Sequence, residues 1–177
     1  MKLRLHLRII ETGEYQECHS LLANFLSLLA VQFDQANRSA VDVNGSTYSV
    51  APGITNLRAD GPNNNDSYGL VVGKGLTSVD INDFKLADQI YHGVVQGYLD
   101  YGETGIGVVT ISGNSAQLAI TRSFYNNGTD AITITEVGLI TYTGGLYFLI
   151  ARDLPTPIIV PGKATRTITL TFTASPS

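Results

Sequence analysis

A chain of 177 residues and 19.0 kDa, with a formal charge of −4 and a pI near 5.2, suits one domain with a sizeable core. Charged residues make up only 15% of it, against roughly 25% in an ordinary globular domain, and the acidic balance disfavours a free-standing nucleic-acid binder. The single cysteine, Cys18, excludes an intrachain disulfide. Thr, Ser, Asn and Gly supply the polarity, which favours β structure with many turns or a surface that packs against copies of itself.

The chain opens on strict alternation. Leu3, Leu5, Leu7 and Ile9 interleave with Lys2, Arg4, His6 and Arg8, the period of a half-buried strand rather than the continuous apolar run of a secretory leader. Its basic face predicts an edge strand protected by charge, or one that docks onto an acidic neighbour. Thr12 and Gly13 end it. A helix is then expected over 14–35. Cys18, Leu21, Leu22, Phe25, Leu28 and Leu29 mark one apolar face, and Ala23, Leu26, Ala30 and Phe33 a second. A helix apolar on two sides needs two covers, and the second can be another subunit. The apolar run from Leu21 to Phe33 is too short to span a bilayer, which takes about 20 residues, so a soluble protein or a subunit of a soluble assembly is expected.

From residue 37 onward the pattern is β. Asn44-Gly45 between short alternating runs signals a hairpin. Residues 60–67 read as a polar loop, "YGLVVGKG" as a short apolar strand, and 77–93 as an Asp-rich loop with one helical turn. Strands are expected near 94–101, 106–112, 115–124, 131–142, 145–152, 157–160 and 164–174. Turns at Gly113-Asn114, Asn126-Asn127-Gly128, Gly144-Gly145 and Pro161-Gly162 separate them, the last as the central pair of a type II turn. In the final run Thr165, Thr167, Thr169, Thr171 and Thr173 form one face, and Ile168, Leu170 and Phe172 the other. The fold class expected is mainly β: an antiparallel sandwich or jelly-roll-like domain over 37–177, with one N-terminal amphipathic helix, in a single domain of 1–177.

The chemistry-bearing residues form no familiar constellation. Gly73-Lys74 lacks the earlier glycine and the following Ser or Thr of a phosphate loop. His6, His19 and His92 have no metal-ligand spacing. Asp80, Asn82, Asp83 and Asp88 lack the order of an EF-hand loop. No serine sits in a G-x-S-x-G elbow. The Asn-x-Ser/Thr sequences at Asn37, Asn44, Asn65 and Asn127 read as turns. No enzyme activity, cofactor, metal or small-molecule substrate is expected.

Glu136 stands apart, a carboxylate within a long apolar strand. Ile132 and Ile134 occupy one phase and Val137 and Leu139 the other, so a β-bulge is expected between Thr135 and Glu136, with Gly138 relieving crowding. A covered Glu136 needs a cation. Arg152 and Arg122 are the candidates, with a Glu136–Arg152 pair expected to pin neighbouring strands in register.

The order "RSFYNNGTDAITITEVGL", "LYFLIARDL" and "IIVPGKATRTITLTFT" resembles the C-terminal half of small structural proteins of tailed phages and related viruses. The matching positions are Phe124, Asn126, Asn127, Ile132 to Leu139, Arg152, Asp153 and Val160 to Phe172. The upstream "YGLVVGKGLTSVDINDFKLADQIYHG" and the "SLLANFLSLLAVQF" helix resemble theirs as well. The resemblance implies a non-enzymatic virion component, such as a capsid, decoration, tail or fibre subunit, and supplies no catalytic residues. A homo-oligomer packed among other virion proteins is therefore expected, with Leu26, Ala30 and Phe33 facing a neighbour and Lys2, Arg4 and Arg8 meeting acidic groups. The alternative is a receptor- or glycan-binding module of a fibre or adhesin, for which Tyr91, Tyr98, Tyr101 and Tyr125 are the aromatic candidates.

Overall fold

The computed structural model describes residues 2–18 and 20–176. The elements in chain order are β1 (Lys2–Ile9), β2 (Tyr15–Cys18), α1 (Ala23–Asp34), β3 (Arg38–Val41), β4 (Thr47–Val50) and β5 (Gly69–Gly73). Then come β6 (Asp100–Tyr101), β7 (Gly105–Ile106), β8 (Thr110–Ser112), β9 (Ser115–Tyr125) and β10 (Ile132–Ile134). The chain ends with β11 (Glu136–Thr143), β12 (Leu146–Asp153), β13 (Ile158–Val160) and β14 (Thr165–Ser175).

The fold is mainly β, antiparallel and sandwich-like, with one short helix. The larger sheet has the order β2-β1-β14-β9-β6, with β7 and β8 also paired to β9. The smaller sheet is β12-β11-β5, and β10–β13 and β3–β4 form separate pairs. Period-2 alternation builds the larger sheet's two faces. Leu5, Leu7, Ile9, Ile120, Phe124, Ile168 and Leu170 are buried on its inner face. Its outer face carries the threonine row of β14, where Thr169 and Thr121 hydroxyls lie 2.9 Å apart. In the smaller sheet all of β5 and nearly all of β11 are buried, which requires cover on both faces. Val137 and Leu139 line one small cavity together with Leu5 and Leu170 of the larger sheet. On the other face Leu86 packs over Gly138, where an added Cβ would lie 2.8 Å from its methyl.

Several expectations are corrected. The helix begins at Ala23, not at 14. Residues 15–18 form β2, which pairs with β1 at Leu5↔Cys18 and His6↔Glu17. Gly13, at φ +73, closes that hairpin, with Ile9 N–H donating to Glu14 O. Backbone donors and acceptors beside β1 are paired this way, and Leu22, extended, serves as the N-cap. β1 is consequently not an edge strand. It lies between β2 and β14, and its register sets Arg4, His6 and Arg8 opposite Thr173, Thr171 and Thr169. Residues 94–99 are not a strand: Asp100 and Tyr101 pair with β9, and Leu99 makes an isolated bridge to His92. Around 80–83 a hydrogen-bonded turn, Asp83 N–H to Asp80 O, replaces the helical turn.

The interruption at Thr135 is a passage between sheets, because β10 pairs with β13 whereas β11 pairs with β12 and β5. The bulge in this region lies between Leu139 and Ile140. The last turn is shifted by one residue from Pro161-Gly162. Ala164 N–H donates to Pro161 O, and Lys163 holds the left-handed conformation at φ 59. Gly162 is needed for close approach, since a Cβ there would lie 2.1 Å from Thr129 O.

Candidate functional site

Two arginines sit in the core, and each holds one long loop. Glu136 and Arg152 are both buried, with Arg152 Nε donating to Glu136 Oε1 at 2.6 Å. Oε1 also accepts Ala87 N–H at 2.7 Å, and Oε2 accepts Gly75 N–H and Asp88 N–H at 3.2 Å each. Arg152 donates on to Asp83 Oδ2 at 2.6 Å, Thr77 O at 2.8 Å and Ser78 O at 3.4 Å. Burial acts to lower the Arg152 pKa, but the hydrogen bonds to Glu136 and Asp83 outweigh it and raise it above the ordinary value. The pair therefore does more than bridge β11 and β12. It nails residues 75–88 onto the smaller sheet. An added Cβ at Gly73 or Gly75 would lie 2.5 Å from Glu136 Oε2, so the glycines of "VVGKG" make room for this carboxylate.

Arg122, the other candidate for Glu136, belongs to a separate centre. Its Nε donates to Gly102 O at 2.7 Å, Nη1 to Tyr68 O and Leu70 O at 3.1 Å each, and Nη2 to Pro62 O at 2.9 Å and to Asn65 O. Those carbonyls use all the donors a guanidinium has, and Tyr101 lies under its plane at 4.8 Å. Burial brings its pKa down to about 10, so it stays charged at neutral pH. This cation organises residues 61–70 without a carboxylate in direct contact. Tyr101 is itself buried, its hydroxyl bonded to Ile90 O, which removes it from the exposed aromatics. Tyr91 and Tyr98 are exposed.

The two loops meet in a cleft of about 460 Å³. The Arg122-held loop brings Asp66 and Ser67 to it, and the Glu136-held loop brings Lys85, Asp88 and Gln89. Tyr91, Tyr147 and Asn44 line it as well. Sequence reading placed Tyr91 among possible aromatics but missed the cleft, because its walls come from five separate segments. The length of the connection between β5 and β6, with no element of its own, was the available signal.

The surface is apolar in two other places. α1 packs Leu28, Val31 and Asn24 inward, and Asn24 Nδ2 donates to Val41 O at 2.8 Å and Leu149 O at 3.2 Å. Its opposite side leaves Leu26 63% and Phe33 78% exposed, with Ala30 half-buried between them. Along β7 and β8, Ile106, Val108, Val109 and Ile111 are exposed too, in a stretch, 104–121, that holds no charged residue. Val108 and Val109 together stand opposite Leu118, since Gly107 bonds Ala119 and Thr110 pairs with Gln117. That bulge twists this edge. Arg4 and Arg8 are exposed on the outer face of β1. The Lys2 side chain and His19 lie outside the described residues. Among the described residues no group of His, Cys, Asp and Glu could hold a metal ion, and no helix is long and apolar enough to cross a membrane. No family model, curated protein or solved structure matches this chain.

Proposed function

We infer that this protein is a virion structural subunit that works by self-assembly and by packing against other virion proteins. The observation that carries this reading is the outward stripe of α1. Leu26 and Phe33 stand in solvent on the isolated chain, and a free monomer gains nothing by presenting both on one helical face. The uncharged apolar edge along β7 and β8 supports the same reading, and so does the order of C-terminal motifs resembling tailed-phage structural proteins. Arg4 and Arg8, on the outer face of β1, are suited to meet acidic groups of a neighbour. Closed symmetry is the usual outcome for identical subunits. Light scattering coupled to size exclusion, with negative-stain imaging of the same fractions, tests it. A ring, trimer, shell or filament is expected, and a monomer of 19.0 kDa at all concentrations would remove the reading.

A further inference from the structure

We propose that the cleft between the two arginine-held loops is a binding site for a neutral saccharide. Its construction is the first argument. Burying an arginine is costly unless every donor is met, and this chain buries two. What they accomplish is to fix the two loops that wall the cleft. Arg122 takes Asn65 O, directly beside Asp66, and Pro62 O earlier in the same loop, while Glu136 takes the Ala87 and Asp88 amides. The loops are also joined to each other. Gln89 Nε2 donates to Asp66 O at 2.7 Å, and Asp66 Oδ2 accepts His92 N–H at 2.6 Å. A cleft held this way is formed before any ligand arrives, as a binding site on loops requires.

The chemistry of the walls selects the ligand class. Polar groups along the cleft are both donors and acceptors. Asn44 commits one of its two amide N–H donors to Asp42 Oδ2 at 3.0 Å, and Gln89 one of its two to Asp66 O, so each amide keeps a donor and an oxygen acceptor. The Asp66 and Asp88 carboxylates add further acceptors, with Lys85 as a donor beside them. A ligand rich in hydroxyls, each a donor and an acceptor at once, satisfies such a mixed wall. An anionic one meets two carboxylates. The apolar part of the wall includes Tyr91 and Tyr147. Tyr147 packs against Tyr68, at 6.1 Å between ring centres, and Tyr142, at 5.8 Å. Aromatic rings with a polar tip suit the alternating C–H and O–H faces of a pyranose. None of the residues that line it belongs to α1, β7 or β8, the apolar surfaces assigned to assembly.

The test is a printed array of neutral, sialylated and phosphorylated oligosaccharides, probed with the full chain. The strongest neutral hit is then titrated into ¹⁵N-labelled protein. Retention of neutral glycans is expected, with amide shifts centred on Asn44, Ser67, Gln89 and Tyr91. Tyr91→Ala, at a position exposed enough to leave the fold intact, should weaken binding about tenfold or more, and Asp88→Asn should weaken it as well. Tyr98→Ala, away from the cleft, should leave it unchanged. Three results would overturn the proposal: no neutral glycan retained, retention of charged glycans alone, or shifts that map elsewhere and survive Tyr91→Ala.

Discussion

Arg152 Nε lies 2.6 Å from Glu136 Oε1, and both side chains are almost wholly excluded from solvent. The carboxylate then reaches three loop amides and the guanidinium two loop carbonyls and Asp83. Removing Arg152 leaves Glu136 charged and buried without its cation, and removing Glu136 leaves Arg152 with Asp83 as its one carboxylate and three loop amides without their acceptor. Glu136→Gln and Arg152→Met should each cost about 3–5 kcal/mol. The double substitution should cost clearly less than their sum, by more than about 1 kcal/mol. Urea denaturation of the four proteins gives the coupling, and a coupling near zero would mean that the two residues act separately.

Arg122 offers a different test. Its donors all end on backbone carbonyls, and the fork geometry is what a lysine lacks. Arg122→Lys should therefore destabilise by about 2 kcal/mol or more, because at least two carbonyls lose their partner. Hydrogen exchange should show the loss concentrated in 61–70. Uniform exchange across the chain would argue against a loop-holding role.

Gly75 reports on the same loop through space. A methyl there meets Glu136 Oε2 at 2.5 Å and Ala87 Cβ at 2.7 Å. Gly75→Ala should lower stability by about 1–3 kcal/mol, read from the thermal midpoint. Gly97→Ala serves as the comparison: no atom lies within 4 Å of its Cβ, although φ is +89, so its cost comes from backbone strain alone and should be the smaller of the two.

Cys18 is buried beside Asp153, and burial, reinforced by the Asp153 carboxylate, pushes its thiol up to about 12. In the native state it should react slowly with iodoacetamide at pH 8, and rapidly once urea is added. The unfolded chain releases the proton near pH 9 while the folded chain holds it to about 12. The folded state is thus favoured below pH 9 by this group, and stability should fall as pH rises from 9 towards 12. Cys18→Ala should flatten that part of the pH–stability profile. An unchanged slope would show that other groups dominate it.

On the surface, Phe33→Glu and Leu26→Ser should leave the melting temperature nearly unchanged, since both side chains are largely in solvent. The same changes should abolish higher oligomers in size exclusion. Assemblies that survive both substitutions would move the interface to Ile106, Val108 and Ile111.

Local pattern was sufficient for several elements that keep one face wet. The alternation of Leu5, Leu7 and Ile9, the threonine row of β14, the Asn44-Gly45 turn and the mainly β class follow from period and turn chemistry alone. The lone carboxylate at 136 could be read as needing a cation, because an unpaired buried charge costs too much to keep. Sequence reading named Arg152 as the expected partner, with Arg122 as the other candidate, but not the loop that the pair holds. The choice depends on β11 pairing with β12 at Gly138↔Arg152, while Arg122 lies in the other sheet, opposite Ile168. Residues 15–18 carry a spacing that serves helix or strand, and a free sheet edge beside β1 settled it. The cleft was the least legible feature. Asn44, Asp66, Asp88, Tyr91 and Tyr147 are brought to one place by long-range packing and two buried guanidinium centres, and no local period records that meeting.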